Sequence, residues 1–232
     1  MKLKLNLLAL SFLSCTAMYA QTAEPAAQND WANTLRYEKA NQELTQKPYA
    51  VFMGNSITDI WSNRVHPEFF TEHNFVGRGI SGQTSAEMLV RFRKDVIELN
   101  PEVVVILAGT NDMAMNNGYI SYENVVRNIA SMCDLAKAHK IKVALCSVTP
   151  STTFGWRPEI DARNKIVELN KHIKAYADEH KILYVDYHSA LKDENNGFRS
   201  ELTKDGCHPE MPGYAIMEKI ILEQIGKAKV PR

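Results

Sequence analysis

The stretch YAVFMGNSITDIW, residues 49–61, decides how the chain is read. An apolar run at 50–53 meets Gly54, Asn55 and Ser56, and a polar segment able to start a helix follows. An apolar run without alternation suits a strand buried on both faces of a sheet. The segment therefore predicts a buried strand that delivers a serine to a sheet edge. Taken alone, Gly54-Asn55-Ser56 is also an ordinary strand-to-helix turn, so its meaning depends on the rest of the chain.

Outward from this stretch, strand and helix patterns alternate. Further strands are predicted around Phe75 and Val76, at 103–107 (VVVIL), at 142–148 and at 182–185. Helices are predicted at 30–46, 84–99, 121–139, 158–180 and 211–225. In the second, Thr84 and Glu87 form a capping box, each side chain satisfying a free amide at the helix start. Met88, Leu89, Phe92, Val96 and Ile97 then share one helical face. Lys47-Pro48 and Asn100-Pro101 break the pattern. Five strands separated by helices predict a parallel sheet covered on both faces, an α/β fold. Ligands of such sheets bind beyond the carboxyl ends of the strands. Ser56, Ser81-Gly82, Gly109-Thr110-Asn111-Asp112 and the loop 149–156 all fall there.

The chain has 232 residues, 45% of them hydrophobic, enough for one large core and too many for a disordered protein. A single domain over 30–232 is expected. It is preceded by a signal peptide at 1–20 and a flexible leader at 21–29. Lys2 and Lys4, a short apolar run at 5–13 and small residues up to Ala20 have the layout of a secretory leader. The run is too short to span a membrane. Cleavage is expected after Ala20, which makes the protein periplasmic or secreted. Lipid attachment at Cys15, within Phe12-Leu13-Ser14-Cys15, is the competing reading. Losing residues 1–20 removes two lysines and no acids from 27 basic and 27 acidic side chains, leaving a charge of about −2. No basic excess points to nucleic acid or to an anionic membrane surface. Cys133, Cys146 and Cys207 form no close pairs, so no disulfide framework is expected, and the first two read as core residues.

A serine needs a base to take its proton, an acid to orient that base, and donors for the developing oxyanion. TKDGCHPEMP, residues 203–212, holds Asp205 and His208 three apart in a Gly- and Pro-containing loop before the last helix. Alone, the pair reads as turn residues and a surface histidine. Asp186-Tyr187-His188 is a rival acid–histidine pair, since residues two apart on a strand point the same way. Asp59 reads as an acid stabilising a helix start, and Asp112 as a support for the loop of Asn111. Cys207 ranks below Ser56 as a nucleophile because it sits in the histidine loop. His66, His73, His139, His172 and His180 read as solvated. Phe154 and Trp156, beyond the fourth strand, either anchor a loop or line an acyl or sugar pocket. The histidines show no metal-ligand spacing.

Four of these blocks, taken in order, resemble the SGNH hydrolase superfamily, the GDSL esterases and lipases. Gly54-Asn55-Ser56-Ile57 is similar to its Gly-Asp-Ser-Leu block. Gly82, Gly109-Thr110-Asn111-Asp112 and Asp205 to His208 match the other three, and the likeness spans about residues 48–225. The resemblance implies a flavodoxin-like three-layer α/β/α sandwich and a serine esterase acting through an acyl-enzyme, with no metal or cofactor. It implies Ser56 as nucleophile, His208 as base and then acid, and Asp205 as its orienting acid. The Ser56 and Gly82 amides and the Asn111 side chain would form the oxyanion hole. Exported members implied by the resemblance deacetylate carbohydrates, which makes a glycan or small-molecule ester the expected substrate. A lysophospholipase-like or platelet-activating-factor-acetylhydrolase-like lipid esterase, a non-catalytic carbohydrate-binding protein and an acyltransferase are the competing readings. Asn55 and Ile57 depart from the usual aspartate and leucine. Position 55 is not a triad member, so altered local hydrogen bonding is expected there rather than lost activity.

Overall fold

The structure, a computed structural model, describes residues 30–226. The leader at 1–20 with Cys15 and the segment 21–29 lie outside the described residues. The strand at its centre, β1 (Ala50–Gly54), is buried along its whole length. Four parallel strands join it: β2 (Phe75–Gly79), β3 (Val103–Ile106), β4 (Lys142–Cys146) and β5 (Leu183–Val185), in the order β2-β1-β3-β4-β5. The register pairs Val51 with Val104 and Phe52 with Val105. Side chains alternate across the sheet. Val51, Met53, Val104 and Ile106 enter one core, and Ala50, Phe52, Val103 and Val105 the other.

The helices are α1 (Glu38–Gln42), α2 (Ser56–Ile60), α3 (Pro67–Glu72), α4 (Ser85–Phe92), α5 (Thr110–Met113), α6 (Tyr122–Ala138), α7 (Ala162–His180), α8 (Tyr187–Leu191) and α9 (Met211–Ile225). Met88 and Phe92 of α4, Ile129 and Met132 of α6, and Ile166 and Leu169 of α7 fill the first core. Trp61 just after α2, Phe69 and Phe70 of α3, Leu191 of α8 and Met217 and Ile221 of α9 fill the second. The result is the five-stranded parallel sheet covered on both faces that the strand pattern predicts, and the three-layer α/β/α sandwich that the resemblance implies. Among the described residues no helix is long and apolar enough to cross a membrane.

The expected helix at 30–46 contracts to α1. The Asp30 carboxylate accepts from the Thr34 hydroxyl and the Leu35 amide, both at 2.9 Å, and Asn33 takes a left-handed φ of 51°. The chain turns there instead of coiling, so Trp31 is 66% exposed while Ala32 and Tyr37 go inward. The Tyr37 hydroxyl donates to the carbonyl of Gly79. The helix expected at 84–99 is α4 followed by a wider π-helical turn, Arg93–Ile97. The helix expected at 158–180 starts at Ala162, where the Asp161 side chain accepts from the Asn164 amide at 3.2 Å.

The order of the sheet positions the site. The chain leaves β1 toward β2 and later returns to add β3 on the other side of β1, so the direction of winding reverses between β1 and β3. Connections diverge at such a point and leave a crevice beyond the carboxyl ends of the two strands. Ser56 follows β1, and Asn111 follows β3.

Candidate active site

Asn55 caps α2, its side-chain oxygen accepting from the Ile57 amide at 3.1 Å. That cap holds the sharp exit from β1 and leaves Ser56 at the first helical position, where a backbone amide has no partner within the helix. Asn55 Nδ2 is buried with no hydrogen-bond partner among the described residues. This altered bonding accompanies the departure from the usual aspartate, whose second oxygen would bring no donor to satisfy.

The loop before α9 folds Asp205 back on itself. Its Oδ1 accepts from the amides of Cys207 at 2.9 Å and His208 at 2.8 Å, and its Oδ2 lies 2.6 Å from His208 Nδ1. Partial burial pushes this carboxyl up. The His208 amide and ring and the Cys207 amide outweigh that effect and hold it down at about 2. An ionised carboxylate only accepts, so Nδ1 carries the proton, and in the neutral ring Nε2 is left as the acceptor. The Ser56 hydroxyl, 2.8 Å from Nε2, therefore donates to it.

Gly82 has φ +84°, in the left-handed region that glycine enters without strain. A Cβ there would meet no atom within 4 Å, so the space above it is open. Asn111 Nδ2 gives one hydrogen to the Gln83 carbonyl at 2.9 Å, and the amide nitrogen carries a second. Ser56, Ile60, Ser81, Gly82, Asn111, Asn116, Trp156 and His208 line a shallow cavity of about 380 Å³. The structure thus brings together Ser56, His208, Asp205, Gly82 and Asn111 from four separate loops.

Asp59, Phe154 and His66 behave differently from their sequence readings, whereas Asp112 supports the Asn111 turn as expected. Asp59 does more than stabilise a helix start: its carboxylate accepts from the Ser81 hydroxyl at 2.7 Å and ties the Gly82 loop to α2. Asp112 accepts from the Ser85 amide, at 2.9 Å to one of its oxygens, and so joins the Asn111 turn to the start of α4. Phe154 is a correction. It is 0% exposed and lies in the core rather than on the cavity, because the apolar ring packs beneath Trp156 at 5.6 Å between centroids. Trp156 does line the cavity, 44% exposed, with its ring 6.4 Å from that of His208. The rival pair does not form. Asp186 caps α8 by accepting from the Ser189 amide at 3.0 Å, and His188 is buried within that helix. His66 is not simply solvated, since Nδ1 lies 2.7 Å from Glu218. Burial pushes the Cys207 thiol up to about 12, which keeps it protonated and poorly nucleophilic at neutral pH.

Asn116, which no motif marks, joins two walls of the site. Its Nδ2 donates to the Gly82 carbonyl at 2.9 Å, and its Oδ1 accepts from Trp156 Nε1 at 2.8 Å. Only its place, five residues beyond Asn111, could have drawn attention to it. Among the described residues no group of three or more His, Cys, Asp or Glu could hold a metal ion.

A serine turn, a glycine loop, an Asn-Asp turn and an Asp-x-x-His loop converging on one crevice is the arrangement that the sequence resemblance anticipates. Residues 52–216 match the GDSL-like lipase/acylhydrolase family. The chain belongs to that family. Its class is accordingly that of the carboxylic ester hydrolases. The acylhydrolase superposes on a GDSL-like lipase from Bacteroides thetaiotaomicron with a TM-score of 0.80 and 50% identity, over 84% of this chain and 97% of the other. It is 27% identical over 81% of its length to N-acylneuraminate cytidylyltransferase of Escherichia coli, but spans only 43% of that protein. It is 25% identical to an acetylxylan esterase of Geobacillus stearothermophilus, over 65% of this chain and 71% of that one.

Proposed function

We propose that this acylhydrolase cleaves esters of short acyl groups, acetyl above all, carried on carbohydrate, through an acyl-enzyme on Ser56. The observation that carries the reading is the unbroken relay from the Ser56 hydroxyl through His208 to an ionised Asp205, at 2.8 and 2.6 Å. In this reaction Ser56 Oγ bonds to the ester carbonyl carbon as His208 Nε2 takes its proton. Asp205 keeps the ring in the required tautomer and balances the imidazolium. The oxyanion accepts from the Ser56 and Gly82 amides and from the second Nδ2 hydrogen of Asn111. Collapse breaks the bond to the alcohol, which leaves with the proton from His208. A water deprotonated by His208 then attacks the acyl-enzyme and releases the acid and the free serine.

The shape of the site supports a short acyl group. The cavity is shallow, and only Ile60 and Trp156 among its lining residues are large and apolar, so it offers no long apolar channel for a fatty chain. The exposed Trp156 ring beside His208 supplies a flat face of the kind that sugar rings pack against. Similarity to an acetylxylan esterase supports the same substrate class. The leader pattern at 1–20 supports export, to the periplasm or beyond, and fractionation of wild type against Cys15→Ser tests lipid attachment.

The deciding experiment measures hydrolysis of nitrophenyl acetate, butyrate and octanoate and acetate release from acetylated xylan, with Ser56→Ala as control. Acetyl esters should react best, and Ser56→Ala should lose turnover by on the order of 10⁶. Preference for octanoate would replace the carbohydrate reading with a lipid-directed esterase. Activity untouched by Ser56→Ala would overturn the acyl-enzyme on Ser56, and activity absent altogether would leave a glycan-binding protein.

A further inference from the structure

Arg91 of α4 is 0% exposed. Burying a charged group is costly unless it is paired and fully hydrogen-bonded, and an apolar side chain could fill the same space. Its three donor atoms are all used, each on a different partner. Nη1 donates to Asp95 Oδ2 at 2.9 Å, which balances the charge. Nη2 donates to the carbonyl of Gly54 at 2.9 Å, and Nε to the side-chain oxygen of Gln83 at 2.5 Å. Gly54 ends β1 two residues before Ser56. Gln83 follows Gly82, and its own carbonyl holds the Asn111 amide at 2.9 Å. The Gln83 side chain also donates to the Ala32 carbonyl at 2.6 Å, which anchors it from behind. Neither Arg91, Asp95 nor Gln83 lines the cavity.

A structural ion pair would need only Asp95, and a lysine could make it. The planar guanidinium instead spans the backbone beside the nucleophile and the loop that carries the other donors. We infer that Arg91 is a positioning residue for the oxyanion hole: by bracing the Gln83 side chain against the Gly54 carbonyl it fixes the Gln83 carbonyl, and with it the orientation of Asn111. The inference rests on the reading of Asn111 as an oxyanion donor. Displacing a catalytic donor by about 1 Å can cost up to about 10² in rate, so the effect belongs in kcat rather than KM.

The test is a pair of mutant cycles on nitrophenyl acetate, with active sites counted by completed fluorophosphonate labelling. Arg91→Lys keeps the charge and the Asp95 partner but loses the three-way fork. Gln83→Met leaves Arg91 and Asp95 intact, and it carries the test if Arg91→Lys does not fold. Each is combined with Asn111→Ala. Asn111→Ala alone should lower kcat by about 10²–10³. Arg91→Lys and Gln83→Met should each lower kcat by about tenfold or more with KM near wild type, yet by less than about threefold when Asn111 is already alanine. If their effects instead multiply with that of Asn111→Ala, or if Gln83→Met keeps wild-type kcat, Arg91 does not act through Asn111, while the role of Asn111 stands. Full kcat in Asn111→Ala would overturn the oxyanion reading itself, and the inference with it.

Discussion

Asp205 acts through both of its oxygens at once. Oδ1 accepts from the amides of Cys207 and His208 and shapes the loop, while Oδ2 accepts a hydrogen bond from the imidazole Nδ1. Its folded pKa of about 2 lies below the ordinary carboxyl value of 3.8. A depressed carboxyl adds stability that is present above the unfolded value and is lost as pH falls through the folded one. Asp205→Asn should therefore be less stable than wild type near pH 6, and the difference should shrink between about pH 4 and pH 2. Urea midpoints across that range test it, and a constant gap would contradict the assigned shift. The same variant should lose roughly 10⁴ in kcat, because an amide no longer holds the required tautomer. At this scale the four short blocks already named Ser56, Gly82, Asn111, Asp205 and His208. The fates of Phe154 and Trp156, two residues apart in one loop, were not legible. Nor was Arg91, which no motif or spacing in the sequence singles out. Burial distinguishes such cases, and burial depends on what the rest of the chain places above a residue.

The short helix α2 presents Ser56 because it crosses the end of β2 at backbone contact. A Cβ on Gly79 would lie 2.2 Å from the Asp59 amide nitrogen and 2.6 Å from the Asn55 carbonyl oxygen. Backbone atoms cannot swing aside as a side chain can. Gly79→Ala should cost about 1–3 kcal/mol. For a domain of this size that lowers Tm by about 2–4 °C per kcal/mol. It should also reduce kcat, since α2 carries the serine. Thermal denaturation followed by circular dichroism checks this, and an unchanged Tm would show that α2 moves freely. The long elements α6, α7 and α9 were legible from their periodicity. The shorter α3 and α8 were not, because five or six residues are too few to display a helical period. The first segment misled for another reason. Its Trp31 and Leu35 look like a packing face, but Asn33 in the left-handed region turns both outward.

Both cores share one sheet, and β1 and β3 contribute alternate side chains to each. Losing either helical layer exposes the strands that the other needs. The domain should therefore unfold in one cooperative step, with urea midpoints that coincide in far-ultraviolet circular dichroism and in tryptophan fluorescence, where Trp61 reports from the second core. Separated midpoints would show the two faces melting independently. By itself the sequence determines the alternation of strands and helices, the parallel sheet and the residue types that follow each strand, because these depend on local periodicity and turn chemistry. The tertiary structure alone decides that winding reverses between β1 and β3. It also decides that a buried arginine, silent in the sequence, spans the Gly54 carbonyl and the Gln83 side chain. Those outcomes depend on distances between segments far apart in the chain, which only the packed sheet sets.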